Sequence, residues 1–274
     1  MRTILYISLF SFLLSGCEDV VYLDLPNGKP LLVVDGEISD QSGKKFLTLS
    51  YSIPYDEQGS FPVEDNAIIR LYEDSIEVDM YSADSIPGLY STSFVGTTGH
   101  EYYIIIETMD GKTFHSLPET INRVPEIDSI YAPYIDFPAP FEDGYYVLFD
   151  TWEPAGAGDC YRWKQYLNGQ YLSSPFYLLV RDDRIVDGNN LVGFQISFEP
   201  LLLGDTFYLE QMSITNEAYK YWTLIVTQTA QVGSNFDPPP APVIGNIRSS
   251  SNEDELVLGY FSAVGIRGAG VRVN

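Results

Sequence analysis

Glu101-Tyr-Tyr-Ile-Ile-Ile-Glu-Thr-Met-Asp-Gly-Lys-Thr-Phe-His-Ser-Leu117 is the stretch that decides the fold class of this chain. Two runs rich in aromatic and β-branched residues, Glu101 to Met109 and Lys112 to Leu117, flank the pair Asp110-Gly111. Asp-Gly between such runs is one of the strongest short signals of a β-hairpin, because a tight turn needs residues that accept positive φ. The stretch therefore predicts two antiparallel strands joined by a tight turn.

Similar runs precede this hairpin at spacings near ten residues. Leu31 to Ile38 and Lys45 to Tyr51 flank the turn sequence Asp40-Gln-Ser-Gly43, and further short runs follow at 67–72, 77–82 and 88–90. No helical pattern lies between them. Short strands at this spacing are typical of an antiparallel sandwich. We therefore predict an N-terminal immunoglobulin-like β-sandwich over residues 31–118.

A second β-rich unit is predicted over residues 119–274. Ile127 to Tyr131 and Tyr145 to Asp150 have strand composition, and Cys160 to Tyr166 alternates large and polar side chains before the turn Asn168-Gly169. The fold class predicted for the whole chain is mostly β, with two antiparallel sandwich-like units in tandem.

One segment of the second unit has a helical pattern, near residues 215–232. Thr215 can cap the helix, Glu217 suits its first turn, and Gly233 can end it. Ala218, Trp222, Ile225, Val226 and Thr229 fall on one face. This face either packs on the protein's own sheet, which we favour, or docks a partner.

The first 17 residues have the pattern of a secretory signal. Met1-Arg2 is positively charged, Ile4 to Leu14 is mainly apolar, and Leu14, Ser15, Gly16 and Cys17 follow. This ending resembles the bacterial lipobox, where cleavage precedes a cysteine that carries lipid. We predict a lipoprotein signal peptide over 1–16, acylation of Cys17 and a tether over 17–30. Each buried methylene contributes roughly 0.8 kcal/mol, so two or three chains hold a protein on a bilayer. The alternative is an ordinary signal that contains a cysteine.

Composition limits the partners of the mature chain. The net charge is −23 with 38 acidic and 15 basic residues, which argues against nucleic acid, because phosphate binding needs a basic surface. Glu18-Asp19 after the lipid cysteine resembles the signal for surface exposure in Bacteroidota lipoproteins. We therefore expect an outer-membrane location facing the cell exterior. Cys160 is the other cysteine, and it is predicted to be a partly buried strand thiol without a disulfide.

Few residues suggest catalysis. His100 and His115 are the two histidines, and neither accompanies a nucleophile motif. We expect no enzyme activity and no cofactor. A glycosidase-type carboxylate pair is kept as a minor alternative, because acidic residues are plentiful.

An oxygen-rich segment is a candidate metal site. Asp182, Asp183 and Asp187 precede Gly188-Asn-Asn190, and hard cations such as calcium accept such ligands. The spacing does not match an EF-hand. An Asp/Gly/Asn turn between strands is the competing interpretation.

Aromatic residues are the candidate ligand surface. The chain holds 21 tyrosines, and exposed aromatic side chains stack on sugars or peptides, although strands also use them for packing. We expect the loop over residues 133–144 to be exposed. The residues proposed to contact ligand are Tyr134, Phe137, Phe141, Tyr145 and Trp163.

An ordered set of short motifs identifies a family resemblance. The motifs are Val33-Val-Asp-Gly-Glu-Ile38, Pro62-Val63 before Ala67, Gly88-x-Tyr90, Asp110-Gly-Lys-Thr-Phe-x-Ser116, Pro125-x-Ile-Asp-Ser-Ile-Tyr131, Tyr161-Arg-Trp163, Gly245-Asn-Ile247 and Gly259-Tyr-Phe-Ser262. Together they resemble the Bacteroidota lipoprotein family named for domain of unknown function 4249, over nearly the whole mature chain. The first unit also resembles the transthyretin-like or carboxypeptidase-regulatory sandwich.

The resemblance implies a role but no activity. Members of that family are often encoded beside TonB-dependent outer-membrane transporters. The expected function is thus a non-enzymatic accessory of such a transporter, which captures ligand or caps the transporter. The alternative is a structural or adhesive envelope lipoprotein without a small-molecule ligand. The expected partners are the bilayer, through acylated Cys17, and the transporter.

Overall fold

The computed structural model describes residues 29–54, 57, 59–229 and 242–274. The signal peptide with Leu14, Ser15, Gly16 and Cys17 lies outside these residues, as do most of the tether and residues 230–232 of the predicted helix. Strands hold 48% of the residues and helices 7%, which confirms the mostly β fold class. Among the described residues, no helix is both long and apolar enough to span a membrane.

The strands are β1 Leu32–Ser39, β2 Lys45–Tyr51, β3 Ile68–Glu73, β4 Ile76–Ala83, β5 Leu89–Thr92, β6 Glu101–Glu107, β7 Thr113–Ser116, β8 Glu119–Thr120, β9 Ile127–Tyr131, β10 Tyr134–Ile135, β11 Gly144–Tyr145, β12 Leu148–Trp152, β13 Cys160–Leu167, β14 Gln170–Tyr171, β15 Leu179–Asp182, β16 Asn190–Gln195, β17 Thr206–Ile214, β18 Ile247–Ser249 and β19 Leu258–Arg272. A short 3-10 turn covers Pro175–Tyr177, and helix α1 covers Asn216–Thr229.

The first unit is a sandwich whose two sheets share strand β4. The start of β4 pairs with β3, and its end, at Ser82 and Ala83, pairs with β5. One sheet runs β19-β1-β2-β5-β4 and the other runs β4-β3-β6-β7-β18. Alternate residues of both sheets, such as Leu47, Ile69 and Ile104, fill a single core. The hairpin at Asp110-Gly111 joins β6 to β7 as predicted.

The long strand β19 belongs to both units. Its first half, Leu258–Val264, pairs in parallel with β1, and its second half pairs antiparallel with β17. Ile247, Phe261 and Ala263 lie in the core of the first sandwich. The predicted division placed all of residues 119–274 in the second unit, whereas the structure places β18 and the first half of β19 in the first core.

The second unit combines part of the continuous sheet with a three-stranded sheet, the two-stranded sheet β10-β11 and a helix. The three-stranded sheet β9-β12-β16 packs on strands β13 and β17, and Phe149, Trp163 and Leu209 lie between the two layers. Helix α1 packs on the opposite face, where Ala218 and Trp222 contact a cluster that includes Met212. The favoured interpretation of the helix, packing on its own sheet, is confirmed.

Helix α1 begins as predicted. Thr215 Oγ1 accepts a hydrogen bond from the Ala218 amide at 3.1 Å, which is the N-cap interaction. Glu217 lies in the first turn. Within the predicted apolar face, Ala218 is buried, while Thr229 is exposed; Tyr221 packs against the cluster instead.

The central strand β17 was not predicted. Its sequence, Thr-Phe-Tyr-Leu-Glu-Gln-Met-Ser-Ile, follows the turn residues Gly204-Asp205 but has helix-favouring residues in its middle. Burial on both faces of the sheet decides its conformation, since Leu209 and Met212 lie in different clusters. Tertiary packing therefore overrides local propensity here.

Candidate functional site

A cleft lies on the outer face of the continuous sheet, where β1 and β2 of the first unit lie near β13 and β17 of the second. Residues alternate between the faces of a strand. On β13, Tyr161 and Trp163 therefore point into the core, while Arg162, Lys164 and Tyr166 line the cleft. The cleft has a volume of about 510 Å³, which is large enough for a small organic ligand.

The lining of this cleft is rich in basic residues for so acidic a chain. Four of the chain's 15 Lys and Arg residues line it, against three of its 38 acids. The acids are Asp35, Glu37 and Glu210. The cleft thus concentrates positive charge on a molecule whose remaining surface repels anions.

Three of the four cations already have partners. Lys164 Nζ lies 3.0 Å from Glu37 and connects β13 to β1 across the cleft. Lys44 pairs with Asp84 at 3.1 Å. Lys45 is buried and donates to the carbonyls of Gln41 and Phe94, and this burial lowers the pKa of its ammonium group.

Arg162 is the exception. Its side chain is 8% exposed, and its guanidinium stacks over the Trp222 ring of α1, with 3.7 Å between Cζ and the ring centroid. No described residue accepts a hydrogen bond or forms an ion pair with this guanidinium, and its Nε is fully buried. A planar fork of donors held in one orientation matches the geometry of a carboxylate or phosphate.

Asp35 stands beside Arg162 on the β1 side. Its side chain reaches solvent, but the walls of the cleft surround it, and this desolvation raises the pKa of its carboxyl group. The positive charge of Arg162 lowers the pKa of Asp35, but by less than the desolvation raises it. Asp35 and Arg162 do not form an ion pair, so no acceptor among the described residues holds the guanidinium donors.

The structure separates the predicted aromatic ligand residues into two groups. Tyr134 and Tyr145 stack edge-to-face at 5.2 Å on β10 and β11, and Phe137 lies 6.3 Å from Phe141 beside them. Phe137 and Phe141 line an open groove of about 630 Å³. Most of the loop over residues 133–144 is exposed, as expected.

Trp163 does not reach that surface. It is 7% exposed, packs against Phe149 and Phe194, and donates from Nε1 to Gln211 Oε1 at 3.1 Å. Its position on the inward face of β13 makes it a core residue.

The predicted metal residues also separate. Asp182 ends β15 and pairs with Arg184 at 2.8 Å. Asp183, the next residue, points inward and is 1% exposed. Asp187 Oδ1 accepts a hydrogen bond from the Gly156 amide at 2.6 Å. The adjacent residues Asp182 and Asp183 thus have opposite orientations.

The other cysteine and histidine side chains of the described residues are buried or contact neighbouring polar groups. Cys160 lies on strand β13 as predicted but is fully and not partly buried, and burial together with nearby acids raises the pKa of its thiol to about 11. His100 lies 2.6 Å from Asp74, and His115 lies 3.0 Å from the Ser250 hydroxyl.

A protein-family model described as Domain of unknown function (DUF4249) matches residues 18–267. The chain belongs to this family. No protein of curated function matches it.

Within this DUF4249 chain, sequence reasoning missed Arg162 and Lys164 as site residues. The signal was present in the alternation of Cys160 to Tyr166, because residues 162, 164 and 166 share one strand face. The proximity of these residues to β1 could not be predicted from the sequence. Strands β17 and β19 lie between β13 and β1 in the sheet, and β19 is far from β1 along the chain.

Proposed function

We propose that this protein is a non-enzymatic, membrane-anchored lipoprotein that captures a small organic anion in the Arg162 cleft. Captured ligand would pass to a TonB-dependent outer-membrane transporter. The observation that carries the capture step is the buried Arg162 guanidinium, which has no hydrogen-bond or ion-pair partner among the described residues. A buried charge is normally paired, so a free guanidinium at the wall of a cleft favours an anionic ligand.

The membrane and transporter parts of this proposal rest on features of the sequence. The lipobox-like Leu14-Ser15-Gly16-Cys17 favours acylation of Cys17, and Glu18-Asp19 favours display on the cell exterior. The resemblance to Bacteroidota lipoproteins supports the link to TonB-dependent transport. The transthyretin-like resemblance of the first unit supports a binding scaffold.

Ligand capture is tested by titrating the full chain with citrate, glutamate, glycerol phosphate and inorganic phosphate in a calorimeter. We expect at least one of these anions to bind. Arg162→Gln should weaken that binding by about 10- to 100-fold, because a hydrogen bond to a charged group contributes about 1.5–3 kcal/mol. Lys164→Gln is the matched control, since Lys164 lines the same cleft but already pairs with Glu37.

Two results would contradict the capture proposal. One is the absence of binding by every anion in the panel. The other is binding that Arg162→Gln and Lys164→Gln weaken equally, which would indicate a diffuse charge effect.

The transporter is tested by affinity capture of the lipidated protein from solubilised outer membranes, followed by mass spectrometry. A stoichiometric transporter is expected. The alternative, a structural or adhesive lipoprotein, is favoured by the open aromatic groove at Phe137 and Phe141. Recovery of other surface proteins without a transporter would support that alternative.

A further inference from the structure

Three carboxylates converge at one end of the second unit. Glu153 follows β12, Asp159 precedes β13 and Asp183 follows β15. One oxygen from each lies within 4.8 Å of the other two. Glu153 is 2% exposed and Asp183 is 1% exposed, so two of the three groups are inside the protein.

This cluster carries charge that the described part of the chain does not neutralise. None of the three carboxylates forms an ion pair with a Lys, Arg or His of the described residues. Burial raises the pKa of Glu153 to about 7, and the neighbouring Asp159, Asp183 and Asp187 add to that effect. Burial also raises the pKa of Asp159. The arrangement is therefore costly without a cation.

Asp183 provides an independent sign of a missing ligand. Its Oδ2 accepts hydrogen bonds from the amides of Gly158 and Asp159, at 2.8 and 3.0 Å. These bonds fix the carboxylate beside the other two acids. Its second oxygen, Oδ1, is fully buried and has no hydrogen-bond partner among the described residues. Buried acceptors are almost always satisfied, so this oxygen needs a partner that the described part of the chain does not supply.

We propose that Glu153, Asp159 and Asp183 bind one calcium ion. Calcium takes oxygen ligands at 2.3–2.6 Å, so two oxygens on the same ion lie at most about 5 Å apart, and the cluster meets that limit. All three ligands are carboxylates, which suits a hard cation and not a softer metal. This inference goes beyond the proposed function and does not depend on the Arg162 cleft.

Calcium in this position would connect two loops. Asp159 belongs to the loop over residues 153–159, and Asp183 begins the loop over residues 183–189. The Gly156 amide already donates to Asp187 across the same gap. A shared ion would add an ionic link to the hydrogen bonds that already join the two loops, which include those from the Gly158 and Asp159 amides to Asp183.

The test uses the full chain, purified in a non-ionic detergent, treated with EDTA and titrated with Ca²⁺ in a calorimeter. We expect one equivalent to bind with a Kd on the order of 10⁻⁴ M or tighter. Asp159→Asn and Asp183→Asn should each weaken binding at least tenfold. Asp182→Asn is the matched control, because Asp182 is adjacent in sequence but pairs with Arg184. Near-ultraviolet circular dichroism checks the fold of each variant.

Asp159→Asn decides the outcome if Asp183→Asn does not fold, because the Asp159 carboxylate accepts no hydrogen bond from the described residues. The proposal is overturned if the wild-type chain binds no calcium at millimolar concentration. It is equally overturned if Asp159→Asn binds calcium as tightly as the wild type does, or if Mg²⁺ binds this cluster in preference to Ca²⁺.

Discussion

Gly259 lies where the second half of the chain contacts the first strand of the molecule. A Cβ atom at this position would lie 1.9 Å from the carbonyl oxygen of Val34. A Cβ at Gly245 would lie 1.5 Å from the carbonyl oxygen of Gly259. Between these contacts, the Asn246 amide group donates to the Phe261 carbonyl at 2.8 Å and accepts from its amide at 2.9 Å. The backbones can approach this closely because both positions lack a side chain.

Substitution of Gly259 should therefore lower the free energy of unfolding by much more than the loss of a favoured backbone conformation alone would. Gly259 and Gly99 both have a φ of +90°, but a Cβ at Gly99 would meet no atom within 4 Å. Gly99→Ala should lower the free energy of unfolding by about 1 kcal/mol. Gly259→Ala should lower it by about 3 kcal/mol or more, because β19 must move away from β1. Chemical denaturation of both variants measures the difference, and equal losses would contradict the steric explanation.

The sequence alone explains why some positions must be glycine, but not others. Gly111 and Gly169 follow Asp110 and Asn168 in tight turns, and both turns were predicted, because their requirement for positive φ is local. Gly259 and Gly245 were recognised as family motifs, but their contacts join segments far apart in sequence. No local rule predicts such an approach.

At the scale of elements, helix α1 is attached to the sheet through one buried acid. Glu119 of β8 is 3% exposed and accepts hydrogen bonds from the Thr215 hydroxyl at 2.6 Å and the Tyr260 hydroxyl at 2.5 Å. Thr215 is also the N-cap of the helix. Glu119 thus connects the start of α1 to β19, and Glu217 adds a second negative charge nearby.

This attachment should make stability depend on pH. Burial raises the pKa of Glu119 from 4.5 to about 7, so the folded state holds this proton more tightly than the unfolded state does. Its contribution to stability is present below pH 4.5 and is lost as the pH rises towards 7. Relative to Glu119→Gln, the wild-type free energy of unfolding should fall by at most about 3 kcal/mol between pH 4 and pH 8. Parallel pH profiles of the two proteins would contradict this role.

The elements differ in how well the sequence predicts them. Helix α1 and the hairpin β6–β7 were predicted because capping and turn signals are local. Strand β17 was missed, and three glycines at 265, 268 and 270 give no local signal that β19 continues to Arg272. Gly268 is tolerated in β19 because the Tyr208 ring of β17 occupies the space that its side chain would take.

At the scale of the whole molecule, the cleft depends on the pairing of β1 with β19. This parallel pairing joins residues 33–39 to residues 258–264, and β17 and β13 then continue the same sheet. Sequence patterns predicted the strands that carry Arg162 and Glu37, but not the strand order that brings them together. Strand order is set by the burial of many distant residues at once, so the site could not be assembled from the sequence.

The same pairing predicts that the first sandwich does not fold without the C-terminal strands. A chain of residues 29–118 would lack Ile247, Val257, Phe261 and Ala263 in its core, and β1 would lose its β19 partner. We expect this fragment to unfold without a cooperative transition and to bind a hydrophobic dye, because apolar core positions and a sheet edge are exposed. Joining residues 242–266 to its C-terminus through a Gly/Ser linker should restore cooperative thermal unfolding. Since β19 also pairs with β17, the full chain should unfold in one transition. Cooperative unfolding of the 29–118 fragment alone would instead establish the division at residues 118 and 119.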